Sequence, residues 1–290
     1  EFDLARADFP YVVNVSTGII AVFYEAGDVG TVKTYNISNT GTINSLIQAR
    51  RYDDVGQTPR AFHINESIYV VAYDSNSNDG FVSTFTIHAN GTMPEANDTN
   101  IDDFEFDSDA GEDADLLHIN GTVYAVVYEG NGAGDGDTNE GFLRTFNILD
   151  NGTMPHGTEA DVLGDFEFDT VEGVVPRVAN VSDGMVVIAY EGTPIANTDG
   201  DGFVISVNVT ANGTIFGQTS KYEFLDVAAA DNALTPDVIK LADGYVAIVY
   251  ESQSGDGYVR TMHVLENGTI NNTGIDIFEF DTNGDTPEIL

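Results

Sequence analysis

Five times along the chain an apolar run ends in a tyrosine followed by a carboxylate: Tyr24-Glu25, Tyr73-Asp74, Tyr128-Glu129, Tyr190-Glu191 and Tyr250-Glu251. Five carboxylates at equivalent positions could hold a cation or bind a polyhydroxylated ligand. They could also hydrogen-bond a neighbouring unit's backbone, which is the plainer reading of a feature that every copy carries. The loops that follow are rich in oxygen. Asp135, Asp137 and Asn139 stand at alternate positions, as do Asn197, Asp199 and Asp201, and Asp74-x-Asn76-x-Asn78 and Asp281-x-Asn283-x-Asp285 are laid out similarly. Such spacing lets a tight loop wrap one hard cation, so Ca2+ is the cofactor these loops suggest, with 135–140 and 197–202 the best candidates. A solvated acidic turn is the alternative, because this composition generates one often.

Catalytic constellations are hard to find. Arg50, Arg51, Arg60, Arg177 and Arg260 form no cluster, and His63, His88, His118, His156 and His263 are dispersed. There is no nucleophile–base pair and no phosphate loop. A glycosidase would need two carboxylates that break the repeat symmetry. The sequence offers none, and a protein that is not an enzyme is expected.

Composition narrows the partners. With 48 acidic against 10 basic residues, the net charge is −38. Such a surface repels phosphate backbones and anionic membranes. It suits high salt, where screening removes most self-repulsion, and it suits a binder of divalent cations. No apolar run approaches the ~18 residues of a membrane span. There is no cysteine, hence no disulfide framework. The chain starts at Glu1 without Met, which suggests a removed leader and an extracellular or cell-surface home. Twelve N-x-[S/T] sequons agree with that: Asn14, Asn36, Asn65, Asn90, Asn97, Asn120, Asn151, Asn180, Asn208, Asn212, Asn267 and Asn271. Four of them, the N-G-T at Asn90, Asn151, Asn212 and Asn267, also read as hairpin turns. Turn chemistry alone, or turns that also carry glycans, would explain them.

The elements that must position these residues come from a repeat. FEFD, a proline segment, an apolar run ending Tyr-Glu, an acidic Gly-rich loop, a GF-strand and NGT recur five times. The FEFD opening is written once more at the C-terminus. The second FEFD aromatic stands at Phe2, Tyr52, Phe106, Phe168, Phe224 and Phe280, with spacings of 50, 54, 62, 56 and 56 residues. In the third copy strands are expected at 115–119, 123–129 and 141–148, followed by an FEFD strand. The second strands (IIAVFYE, IYVVAYD, VYAVVYE, MVVIAYE, YVAIVYE) are apolar on both faces, so each small sheet must lie between others. That predicts an all-β, five-bladed β-propeller of four-stranded antiparallel blades over residues 1–290, and a sandwich fits less well.

The string FEFD–x–P–…–VYAVVYE–…–DGF–…–NGT resembles the tandem repeats of secreted β-propeller surface proteins of archaea and some bacteria, along the whole chain. The acidic loops resemble the calcium loops of integrin-type propellers. The third copy lacks the proline found at 10, 59, 176, 236 and 287.

Both ends encode the same crossover. Glu1, Phe2 and Asp3 run into Pro10, while Phe278 to Asp281, including Phe280, runs into Pro287, Glu288, Ile289 and Leu290. A closed five-bladed ring has room for one copy. The surplus copy is expected to be disordered, paired locally, or inserted into another molecule. The function expected is a glycosylated surface protein that binds copies of itself head to tail in a filament or layer. A calcium-dependent adhesion or glycan-binding module comes next, with cell-surface components as partners, and a glycoside hydrolase last.

Overall fold

Runs rich in Val, Ile, Tyr, Phe and Thr, separated by Gly, Asn and Asp, become strands. The computed structural model describes every residue except 1–5, 133–138, 156–161, 194–199, 226–232, 253, 272–274 and 290. The first sheet holds β1 (Asp8–Ser16), β2 (Ile19–Ala26), β3 (Val29–Ile37) and β4 (Ile43–Asp53). The second holds β5 (Gln57–Asn65), β6 (Ile68–Asp74), β7 (Gly80–Thr86) and β8 (Asp102–Asp107). The third holds β9 (Glu112–Asn120), β10 (Val123–Gly130), β11 (Glu140–Asn147) and β12 (Gly164–Asp169). The fourth holds β13 (Val174–Ser182), β14 (Met185–Gly192), β15 (Asp201–Val209) and β16 (Ile215–Leu225). The fifth holds β17 (Ala233–Ala242), β18 (Tyr245–Ser252), β19 (Gly257–His263) and β20 (Asp276–Asp281). In every sheet the four strands neighbour one another in chain order. The fold is the expected five-bladed β-propeller.

Two compact units share the blades: Glu1–Leu116 with Asn147–Val162, and Leu117–Phe146 with Leu163–Leu290. The first unit contains blades one and two, the second contains blades four and five, and the third blade's chain runs through both.

Burial of the second strands follows their two-sided apolar pattern. In the first unit, Phe23, Tyr69, Val71, Tyr73 and Phe85 are fully buried in one core with Tyr52 and Ala61. In the second, Phe168 packs with Val178, Ile188 and Tyr190, and Phe224 packs with Val238, Ile248 and Tyr250. Each core is formed between consecutive blades. The aromatic of one blade's last strand meets the tyrosine of the next blade's second strand, with ring centroids 5.1 Å apart for Tyr52–Tyr73, 5.0 Å for Phe168–Tyr190 and 5.2 Å for Phe224–Tyr250. Tilted contacts of this kind add stabilisation beyond the area they bury.

The N-G-T turns join blades as well. Gly152 has φ +86°, a conformation open to glycine at little cost, and it turns the chain so that its carbonyl faces the preceding blade. Thr84 Oγ1 donates to that carbonyl at 2.6 Å. The same bond links Thr34 to Gly91 at 2.7 Å, Thr145 to Gly213 at 2.6 Å and Ser206 to Gly268 at 2.5 Å. These donors are buried, so the bond matters. Thr84→Val keeps the shape but leaves the Gly152 carbonyl without its donor, and it is expected to cost about 1–3 kcal/mol in denaturant unfolding. Thr92→Val, at a half-buried hydroxyl, is expected to cost less.

Each first strand also begins with a bulge. Thr58, Val175 and Thr235, each just before a proline, have φ of 41°, 48° and 46°, and the ladder register shifts there. Proline disfavours the helical region for its predecessor, but this left-handed geometry is strained for β-branched residues. In the proline-less third copy, Asp113 has φ 50°. The departure in sequence does not change the backbone.

Candidate functional site

The bulge brings a first strand's start against the end of the second strand, and this places the Tyr-carboxylate pairs. Tyr73 Oη donates to Asp53 Oδ2 at 2.8 Å, and Tyr190 Oη to Asp169 Oδ2 at 2.8 Å. These aspartates close the preceding blade's last strand, so the tyrosines bond the neighbouring blade through a side chain rather than through its backbone. Burial and the nearby carboxylates push both phenols well above their usual range.

The adjoining carboxyls are unusual. Asp74 is 6% exposed and accepts a hydrogen bond from Thr58 Oγ1. Burial, together with the charges of Asp113 and Glu112, raises it to about 7 despite that bond. In the second unit Glu191 is likewise raised to about 7 by burial and by Glu172. Glu172 is itself raised by burial and by Asp169, and its Oε2 is buried with no hydrogen-bond partner among the described residues. Lys221 Nζ lies 2.7 Å from Asp169 Oδ2 and 4.1 Å from the Phe203 ring centroid. Desolvation therefore leaves Asp74 and Glu191 able to hold or give up a proton near neutrality, the property that acid–base carboxyls need.

At the opposite ends of the strands, in the second unit, lies a cleft of about 360 Å³. Its apolar lining residues are Ile119, Met185, Val186 and Val209, of which the last three are buried. Its rim is polar, carrying Asn180, Asp183 and Lys240. At the tight turn Asp183-Gly184, Val209 N donates to Gly184 O at 3.0 Å, and Asp183 is exposed. Asn180 Nδ2 donates to His118 O at 3.0 Å, which fixes its amide. Lys240 Nζ is 2.7 Å from Asp243 Oδ1, which lowers that carboxyl and tethers the ammonium. A cleft lined by an amide, a carboxylate and an ammonium can take a small polar ligand.

The sequence-derived candidates fare unevenly. Asp135, Asp137, Asn197 and Asp199 lie outside the described residues. Asn139 gives its backbone carbonyl to Gly173 N at 2.6 Å, and Asp201 is 3% exposed in β15 opposite Gly192. No group of three His, Asp or Glu side chains set to hold a metal occurs among the described residues.

The sequon asparagines divide into two groups. Asn14, Asn90, Asn97, Asn120, Asn151, Asn212, Asn267 and Asn271 are exposed; Asn36, Asn65, Asn180 and Asn208 are half-buried. Asn65 Nδ2 is bonded to Asp150 O at 3.1 Å and Asn180 Nδ2 to His118 O, so the atom that would carry a glycan is already engaged at both. The N-G-T asparagines use Oδ1 instead, as Asn90 and Asn151 do in accepting from Thr92 and Thr153.

Of the assembly residues, Glu1, Phe2, Asp3 and Leu290 lie outside the described residues, whereas Phe278 and Phe280 are exposed on β20. Pro287 and Ile289 belong to a tail that is locally docked: Thr286 N donates to Glu251 Oε2 at 3.1 Å and Ile289 N to Asp237 Oδ2 at 3.0 Å. Sequence reasoning missed the cleft. Asn120 and Asn180 had been singled out only as sequons, and Lys240 is one of three lysines in a chain of net charge −38.

No protein-family model matches the sequence, and no curated protein does. Solved structures do match, and they are propeller proteins. A periplasmic gluconolactonase from Pseudomonas aeruginosa is 13% identical over 90% of this chain and 69% of its own, with a TM-score of 0.61. An α-L-arabinofuranosidase from Fusarium graminearum is 8% identical over 88% of this chain and 77% of its own, with a TM-score of 0.52. The lectin of Aleuria aurantia, solved with a fucosylated sugar, is 10% identical over 94% of this chain and 79% of its own, with a TM-score of 0.51. These matches correct the expectation of a non-enzyme: the solved neighbours are mostly enzymes, so this architecture carries catalysis as readily as binding. At such identities the likeness concerns the fold, a β-propeller shared with sugar-binding and sugar-cleaving proteins.

Proposed function

We propose that this protein is a carbohydrate-directed propeller that binds a neutral glycan in the cleft of its second unit. The observation that carries this reading is the cleft itself. A volume of 360 Å³ is at the small end of the ~300–1,000 Å³ of ligand pockets. Asn180, Asp183 and Lys240 suit the hydroxyls of a sugar ring. Glycan-binding and glycan-cleaving proteins among the structural neighbours support the ligand class. The net charge disfavours uronic or sulfated sugars, because the surface field repels them. Glycan-array screening followed by calorimetry with the best neutral oligosaccharide tests this. Asp183→Ala and Lys240→Ala, both at the rim, are each expected to weaken binding about tenfold, roughly 1.4 kcal/mol. An array without a hit, or a hit indifferent to both substitutions, would sink the reading.

The same proposal places the protein at a cell surface, supported by the sequons and by the repeat's resemblance to surface propellers. It includes Ca2+ in the acidic loops, supported by their alternating oxygen ligands; chelation should then lower the melting temperature. A second reading, structural self-assembly, is favoured by one observation: all six residues of β20 are exposed.

A further inference from the structure

One repeat position separates the cleft of the fourth blade from the same place in the second and third. His63, His118, Asn180 and Lys240 occupy that position, on the first strands of blades two to five. Across the ladder His63 faces Tyr69, Asn180 faces Val186 and Lys240 faces Val246. In blades two and three the position carries a plug of two rings. His63 lies on Tyr69 with ring centroids 4.7 Å apart, and His118 lies on Tyr124 at 4.9 Å. Tyr69 is 0% and Tyr124 3% exposed. Tyr69 Oη is buried and has no hydrogen-bond partner among the described residues, so its ring serves by its volume and not by its hydroxyl.

In blade four both rings are replaced. Asn180 and Val186 stand there instead, and both line the cleft. Lys240, at the same position of blade five, lines it as well. The ladder around the exchange is otherwise the same, because the register shifts of β5 and β13 fall at corresponding residues. The backbone therefore accepts either pair, and the side chains alone decide whether the space is filled.

We infer that Asn180 and Val186 are the specificity-determining residues of this cleft: a small pair where the repeat elsewhere carries a histidine–tyrosine plug is what admits a sugar ring. This inference rests on the reading of the cleft as a neutral-glycan site. Val186 is 1% exposed and its side chain has no polar atom, so its effect on binding runs through volume. Close-packed surroundings register even a single added methylene. Asn180 acts through size and through its amide. With Nδ2 held on His118 O at 3.0 Å, Oδ1 is oriented to accept from a sugar hydroxyl.

The test is calorimetry on the full chain with the neutral trisaccharide that binds best on a glycan array. Wild type is compared with Val186→Leu, Val186→Ala and a plug variant combining Asn180→His with Val186→Tyr, each checked for folding by circular dichroism. The plug variant is expected to lose affinity by about a hundredfold or more. Val186→Leu, which adds one methylene, is expected to lose about tenfold. Val186→Ala disturbs the same core but leaves the cleft open, so its affinity should stay within about threefold of wild type. A wild type that binds no neutral sugar would overturn the glycan reading and this inference together. Binding that survives both Val186→Leu and a folded plug variant, or a loss as large in Val186→Ala as in Val186→Leu, would overturn this inference alone. If the plug variant does not fold, the leucine and alanine variants decide between the same two outcomes.

Discussion

Asp74→Asn is expected to remove a large part of the acid-side pH dependence of stability and to make the protein more stable at pH 8. The native carboxyl keeps its proton up to about 7, against the usual 3.8 of an unburied aspartate. Between those values the native state binds more protons than the unfolded state, so stability falls as pH rises. The advantage is fully present below the unfolded value and is gone above about 7. At about 1.4 kcal/mol per pH unit, the window is worth on the order of 4 kcal/mol. Asparagine fits the same space, keeps an acceptor for the Thr58 hydroxyl, and has no proton to lose. Urea unfolding at pH 4.5, 6 and 8 should show the wild type weakening across the series and the variant doing so much less. Equal slopes for the two proteins would mean that Asp74 is ionised throughout.

Gly80→Ala is expected to be among the most damaging single-methyl additions to the first unit. A Cβ on Gly80 would lie 2.3 Å from Phe106 Cε2 and 2.9 Å from Gly111 Cα. Phe106 is fully buried, so its ring has nowhere to turn, and the other obstacle is backbone. Overpacking ordinarily costs about 1–3 kcal/mol, and a clash with both a locked ring and a main chain belongs at or above that limit. The repeat supplies a control. Gly257 meets Phe280 at 2.5 Å, but that ring is 45% exposed and can swing aside. Gly257→Ala should therefore cost well under half as much in the same denaturant titration. Adding Phe106→Leu to Gly80→Ala should restore part of the loss, leaving the share due to Gly111. Equal costs at the two glycines would mean that ring freedom is not what separates them.

The propeller was legible in the sequence because its causes are local and repeated. Runs such as VYAVVYE, apolar on both faces, have no stable place except between two sheets, and five copies fix the number of blades. N-G-T turns announced themselves through glycine's conformational range. The Tyr-carboxylate pairs were visible as residues but not as a device, because Tyr73 meets Asp53 only after two blades have packed. Protonation of Asp74 and Glu191 was equally invisible, since desolvation depends on what covers a side chain and not on its neighbours in the chain. The expectation of a non-enzyme rested on finding no residues that break the repeat, and the solved neighbours, mostly enzymes, overturn it.

The cleft shows where sequence reading stops. Asn180, Asp183, Met185 and Lys240 come from two blades, and the sequon at Asn180 says nothing of a cleft; packing alone brings them together. The sequence by itself determined the strand pattern, the repeat and the charge, because each depends on residue type and spacing. Only the tertiary structure decided which copies of the repeat are buried and which stay exposed, because solvent access is a property of the packed neighbours and not of the residue.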